Sequence, residues 1–302
     1  MRKVLFVVPV VALLAAACAS STTTETGAGT TTASTAAECA SSATFVTDNT
    51  LTIGTDSPAY PPYFQGGTSS GSDFKINDPS TGKGFESAVA YEIANRMGFT
   101  PDQVTWVVVP FAQSYAPGPK DFDFDINQIS YSDKRAQAVD FSNSYYDVNQ
   151  AIVVVKDTPI ASATSVADLA QYKLAAPLGT TSSDLISTYI GGQPGTFQTL
   201  RDAVAAINAG QADGLVVDYP TALYMADPYV QQVHNSIVLA QFPNDAVEGG
   251  EYFGTVQPKD SSLTPCIDLA LKEMKDDGTL SDITDEWLSK KTNVGEVPVW
   301  SK

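Results

Sequence analysis

From Leu51 onward, short apolar runs alternate with amphipathic stretches. Residues 51–54, 104–109, 151–155, 174–176, 214–217, 237–240 and 252–256 read as strands. Between them lie helical patterns. Over 84–97, Phe85, Val89, Ile93 and Met97 recur every fourth residue, with Ala88 and Ala90 beside them and Gly98 at the end. Over 199–209, Leu200, Ala203, Val204 and Ile207 share a face, Thr199 and Asp202 form a capping pattern, and Gly210 ends the helix. Residues 165–169 make a short helix, and the tail carries two more over 264–277 and 280–289. Strand–helix alternation predicts an α/β fold with largely parallel strands. The segments 57–64, 66–82 and 111–125 read as loops, the first stiffened by Pro58, Pro61 and Pro62.

In parallel α/β sheets, ligands bind beyond the carboxyl ends of the strands. Four polar clusters sit at such ends: Asp56 with Tyr60, Ser130 to Arg135, Gly179 to Ser182, and Asp218. Their convergence predicts one binding crevice.

The N-terminus has a different character. Met1-Arg2-Lys3 precedes an apolar run that ends at Ala17, followed by Cys18. Two positive charges before a short apolar run are the layout of a secretory signal over 1–17, too short for a bilayer span of roughly 20 residues. Leu14-Ala15-Ala16-Ala17-Cys18 resembles a bacterial lipobox, with Leu14 one step out of its usual place. The resemblance implies that Cys18 becomes the lipidated first residue of a membrane-anchored mature chain. Residues 18–43, rich in Ser, Thr and Ala without apolar periodicity, are expected to form a flexible tether.

With Cys18 lipidated, Cys39 and Cys266 remain as a pair in a compartment where disulfides persist. A bridge between them is predicted. The chain-entropy model gives it on the order of 4–5 kcal/mol. The chain has 17 Lys+Arg against 34 Asp+Glu, and losing Arg2 and Lys3 with the signal leaves a net charge of −19. That excess argues against a nucleic-acid partner, which needs basic patches.

The run Ser130-Tyr131-Ser132-Asp133-Lys134-Arg135-Ala136-Gln137-Ala138-Val139-Asp140-Phe141-Ser142, followed by Tyr145-Tyr146, resembles the polar amino-acid class of extracellular solute-binding proteins of ABC importers. The resemblance continues in order through Thr55-Asp56 with Tyr60-Pro61-Pro62-Tyr63, Gly84-Phe85-Glu86, Gly179-Thr180-Thr181, Ala212-Asp213-Gly214 with Val217-Asp218, and Asp277-Gly278-Thr279-Leu280. It implies a two-lobe periplasmic-binding-protein-like (type II) fold with two hinge strands. Lobe 1 would span 44–146 and 251–302, lobe 2 would span 147–250, and the hinges would lie near 145–150 and 247–251. The implied function is capture of a small polar amino acid outside the cytoplasm and delivery to an ABC permease, by a monomer without cofactor.

The same resemblance assigns the ligand residues. Arg135 grips the α-carboxylate through its planar fork, which Lys cannot reproduce. Asp218 holds the α-ammonium. Asp56 either assists it or holds the binding loop by Asx-type bonds. Ser130 contributes hydroxyl and backbone, and Gln128 its backbone carbonyl. Thr181 reaches the carboxylate through N–H and hydroxyl. Tyr60 and Phe111 form aromatic walls. Asn127, Gln128, Tyr131, Pro177 and Val217 are expected to select the side chain.

His234 is the single histidine. A Ser-His-Asp triad would have to use it, and no nucleophile elbow is present. The chain lacks the His and Cys for a zinc site and carries no phosphate-loop motif. Two other functions remain open. One is a dehydratase of the cyclohexadienyl type on the same fold, with Asp133, Asp56 or Asp218 as proton donor. The other is a ligand sensor acting through a partner.

Overall fold

The computed structural model describes residues 33–302 apart from 248 and 290–295. The signal segment, Cys18 and the first part of the tether lie outside the described residues.

The chain opens with α1 (Ala36–Ala40), β1 (Leu51–Thr55), α2 (Phe85–Arg96), β2 (Val104–Val108), α3 (Phe111–Ser114), β3 (Phe124–Asp125), α4 (Asp133–Ala136) and β4 (Val139–Phe141). A short strand β5 (Tyr146–Asp147) leads to β6 (Gln150–Val155), α5 (Val166–Leu169), β7 (Leu174–Pro177), α6 (Thr181–Leu185), β8 (Gly195–Phe197), α7 (Leu200–Asn208), β9 (Gly214–Asp218), α8 (Tyr219–Ala226) and β10 (Ser236–Phe242). The return runs through β11 (Tyr252–Phe253), β12 (Val256–Pro258), α9 (Thr264–Asp276) and α10 (Thr279–Thr284).

Two five-stranded sheets result, ordered β2-β1-β3-β12-β4 and β10-β6-β9-β7-β8. In the first, β1 is buried along its whole length and runs parallel to β2 and β3, while β12 joins antiparallel. In the second, β6 is antiparallel to β9 and β10, and β7 is parallel to β8 and β9. The antiparallel ribbon β5–β11 lies in the chain between the two sheets. Beside it, Val148 N–H donates to the Glu251 carbonyl, and Asn244 Nδ2 reaches the carbonyls of both Val148 and Glu251.

The helix pattern explains the packing. Phe85, Val89 and Ile93 on α2, with Ala90 and Ala94, are fully buried in the first core together with Ile267, Ala270, Leu271 and Met274 of α9. Gly84 sets the entry to α2. Its φ is +101°, and a Cβ there would stand 2.3 Å from the Tyr63 carbonyl oxygen, so a larger residue is excluded. No helix among the described residues is long and apolar enough to cross a membrane.

Five expectations change. The tether does not reach residue 43. Ala36 and Ala40 of α1 are buried, Thr35 caps the helix, Ala36 N–H donates to Glu273 on α9, and Cys39 is bonded to Cys266. Five residues do not hold a helix alone, so this helix exists because α9 and the disulfide fix it. Residues 111–125 contain α3 and β3 rather than loop throughout. The expected strand over 252–256 is broken at Gly254, where the chain leaves the ribbon for the first sheet, and the last helix relaxes into a π-type turn over Asp285–Ser289.

The fifth change concerns the C-terminus, expected in lobe 1. Residues 296–302 lie instead on the edge of the second sheet. Gln241 N–H donates to the Pro298 carbonyl and the Gln241 carbonyl accepts from Trp300 N–H. Val297 and Trp300 pack into the two cores flanking that sheet. An exposed edge strand leaves unpaired backbone groups, and the tail satisfies those of β10.

Candidate functional site

A cleft of about 810 Å³ is lined by residues of both sheet-centred halves. Asp56, Tyr60, Phe111, Gln128, Ser130, Arg135, Thr181 and Asp218 all line it. Asp218 stands at a strand end, Phe111 and Thr181 open short helices, Arg135 lies within one, and Asp56, Tyr60, Gln128 and Ser130 lie in the loops that follow β1 and β3.

Asp56 follows β1. Its carboxylate accepts from Ser57 N–H at 2.7 Å and from the Phe111 backbone, so it ties two cleft loops together as well as facing the cavity. Burial raises its pKa.

Arg135 is buried on α4, whose cap is Ser132. Nη1 donates to the Ser130 carbonyl at 2.6 Å, and Nη2 to the Gly179 carbonyl at 2.9 Å. The guanidinium carbon lies 5.5 Å from the Phe111 ring centroid and 4.3 Å from that of Tyr115. Two of its five N–H groups are thus used, and aromatic contacts hold its plane.

On the opposite wall, Asp218 ends β9 and accepts from Gln150 Nε2 at 2.7 Å. Burial, and then the negative charge of Glu251, raise its pKa to about 8. Ser130 Oγ and Thr181 Oγ1 donate to Glu251 Oε1 at 2.6 and 2.5 Å. Gln150 Nε2 also lies 3.2 and 3.1 Å from the two Glu251 oxygens. Burial raises the Glu251 pKa as well, against those hydrogen bonds and the pull of Arg135.

Gln128 has φ +48°. Its N–H donates to Glu86 Oε1 at 2.6 Å and its side-chain amide also bonds Glu86, so the side chain expected to narrow the pocket is turned toward α2. Glu86 is fully buried and also accepts from Tyr145 Oη at 2.5 Å. Burial lifts its pKa to about 7 despite these donors.

Asn127, Pro177 and Val217 line the cleft, but Tyr131 does not. The Tyr131 ring stacks on Tyr252 at 5.3 Å and its hydroxyl donates to Asp133. His234 is exposed. No cluster of three or more His, Cys, Asp or Glu with metal-binding geometry occurs among the described residues.

Sequence reasoning missed Glu251, Glu86 and Gln150. Glu86 lay inside a quoted motif without a role, and Glu251 lay in an expected hinge after Gly249-Gly250. Nothing local marks either as buried: an acid in a loop or a helix first turn is ordinarily solvated.

Residues 51–290 match the model of the bacterial extracellular solute-binding proteins, family 3. The L-cystine-binding protein TcyA of Bacillus subtilis is 28% identical over 244 residues, covering 80% of this chain and 81% of that protein. The amino-acid-binding protein AabA of Dichelobacter nodosus is 28% identical over 173 residues, or 56% of this chain, and the match spans 65% of its length. Among solved structures, an ancestral arginine-binding protein bound to glutamine superposes with a TM-score of 0.61 at 27% identity, covering 81% of this chain and all of that one. The chain belongs to the bacterial extracellular solute-binding proteins, family 3.

Proposed function

We propose that the protein binds a polar amino acid outside the cytoplasm and delivers it to the permease of an ABC importer. The observation that carries this reading is the cleft itself: one guanidinium, Arg135, and one carboxylate, Asp218, line the same cavity, which is walled by Tyr60 and Phe111. An α-amino acid is a zwitterion that presents opposite charges at fixed separation. Arg135 takes the carboxylate with its free N–H groups, helped by the start of α6 at Thr181. Asp218 takes the ammonium. Tyr60 and Phe111 cover the aliphatic portion, and Asn127, Gln128, Pro177 and Val217 meet the side chain.

The family and the amino-acid ligands named for its relatives support this reading. The two sheets would close on the ligand about the β5–β11 ribbon, a hinge motion of a known kind. The chain would act as a monomer, tethered by lipid at Cys18 after removal of residues 1–17. Affinity is expected to be micromolar or tighter, about −8 kcal/mol or stronger.

Calorimetric titration of residues 33–302 with each of the twenty standard L-amino acids and with L-cystine tests the reading. One or a few tight binders, lost in Arg135→Ala, are expected. No heat from any of them would overturn it. Mass spectrometry of the chain purified from membranes, showing a diacylated or triacylated Cys18, checks the anchor.

A further inference from the structure

Glu251 is nearly inaccessible, 2% exposed, and does not line the cleft, yet three groups from two parts of the molecule converge on it. Ser130 comes from the loop after β3, Thr181 from the start of α6, and Gln150 from the start of β6. Gln150 is oriented by its other end, where Oε1 accepts from Ser182 Oγ at 2.6 Å. Its Nε2 therefore faces the acids, and its two hydrogens serve Asp218 Oδ1 at 2.7 Å and Glu251 at 3.1–3.2 Å. Two carboxylates, Glu251 buried and Asp218 half-buried at the cleft wall, share one amide nitrogen, and with little water around them like charges repel strongly.

A hydroxyl has one hydrogen. Ser130 and Thr181 each give theirs to Glu251, so toward the cleft both present lone pairs. The wall formed by Asp218, Ser130 and Thr181 then offers acceptors, and a group that donates no hydrogen would leave them unpaired. Buried acceptors left unpaired penalise the wrong ligand more than any added contact rewards the right one.

We propose that Glu251 is a positioning residue of the ligand site: it draws in the hydroxyl hydrogens of Ser130 and Thr181 and shares a proton with Asp218, so that the site accepts a protonated amine and releases that proton on capture. The proton leaves the carboxylate pair for solvent as the ammonium takes its place, and no bond to the ligand forms. The other charged and titratable groups around the pair fit this balance. Glu86 on α2 adds negative potential at Asp218, the Tyr63 and Tyr146 phenols face the same carboxylate, and Arg135 is the cation that acts on Glu251. The Thr181 hydroxyl, expected to reach the ligand carboxylate, is thereby assigned to the ammonium side, and only the backbone N–H of Thr181 is left for the carboxylate.

The proposal rests on the amino-acid reading for its ligand, but one arm of the test does not. In the first arm, thermal unfolding of the ligand-free chain is followed from pH 4 to 9 for wild type, Glu251→Gln and Asp218→Asn. A buried pair that keeps a proton the unfolded chain has lost makes stability fall as pH rises through this window. Either variant should flatten that fall, the second standing in if the first fails to fold. Slopes equal to wild type in both would overturn the proposal. In the second arm, L-arginine, L-glutamine and L-cystine are titrated in phosphate and in Tris, whose ionisation heats differ. Glu251→Gln should weaken every probe that binds wild type at least tenfold and reduce proton release by about half a proton or more. Unchanged proton release would overturn the proposal even if affinity fell. Absence of binding by all three to wild type would count against these amino acids as ligands and leave the first arm to decide Glu251.

Discussion

The Arg135 guanidinium, carried by the first sheet's side of the cleft, donates to the Gly179 carbonyl on the second at 2.9 Å. One side chain of the proposed ligand site thus bridges the two halves. It also couples two neighbouring strand-end loops, because its other terminal nitrogen holds the Ser130 carbonyl. Arg135→Ala should weaken amino-acid binding at least 100-fold, about 2.7 kcal/mol or more. Arg135→Lys should recover only a small part of that, since an ammonium cannot form two parallel bonds or hold both carbonyls. Calorimetry on the two variants checks both statements.

Glu86 gives a pH signature separate from the site pair. Burial raises its pKa to about 7. A raised carboxyl pKa means the folded chain keeps a proton that the unfolded chain loses near pH 4–5, so Glu86 lowers stability as pH rises from there to about 7. The shift corresponds to roughly 3 kcal/mol across that window. Glu86→Gln should remove this component of the slope, read from urea unfolding at pH 5 and pH 7.5. It should also loosen Gln128, whose backbone N–H needs the Glu86 acceptor.

The disulfide joins residues 227 positions apart. In the chain-entropy model a loop of that length contributes about 5 kcal/mol. Replacing Cys39 and Cys266 together by Ser should lower the Tm by several degrees or more. It should also detach α1 from α9, seen as faster amide exchange over Ala36–Ala40. Ligand affinity should change less than threefold, because neither cysteine approaches the cleft.

Deletion of residues 296–302 should expose the edge of β10 and uncover the faces that Val297 and Trp300 cover. Lower Tm and concentration-dependent association are the expected outcomes, by calorimetry and light scattering. A single Trp300→Ala change should reproduce part of the Tm loss, about 3–5 kcal/mol for a buried large aromatic at full packing and less here, where the ring is partly exposed.

Strand and helix patterns and the cleft at the strand ends were legible in the sequence, because they follow from local periodicity and from the capping residues at Thr199, Gly98 and Gly210. The largely parallel pairing expected from the alternation was not met: β6, β10 and β12 run antiparallel to their neighbours, a choice made by long-range pairing. The eight expected ligand residues reach one cavity because they lie at strand ends or in the loops and short helices that follow them, positions that a one-dimensional pattern marks. What tertiary structure alone decided is which acids lose their water. Glu251 and Glu86 read as ordinary solvated residues until the chain folds back over them, and only then do they share Gln150, Ser130, Thr181 and Gln128 with the site. The same holds for the chain ends. Five residues around Cys39 have no reason to be helical until α9 stands beside them, and the last seven have no reason to be extended until the β10 edge offers partners. Burial and long-range pairing belong to the whole fold, and no window of sequence carries them.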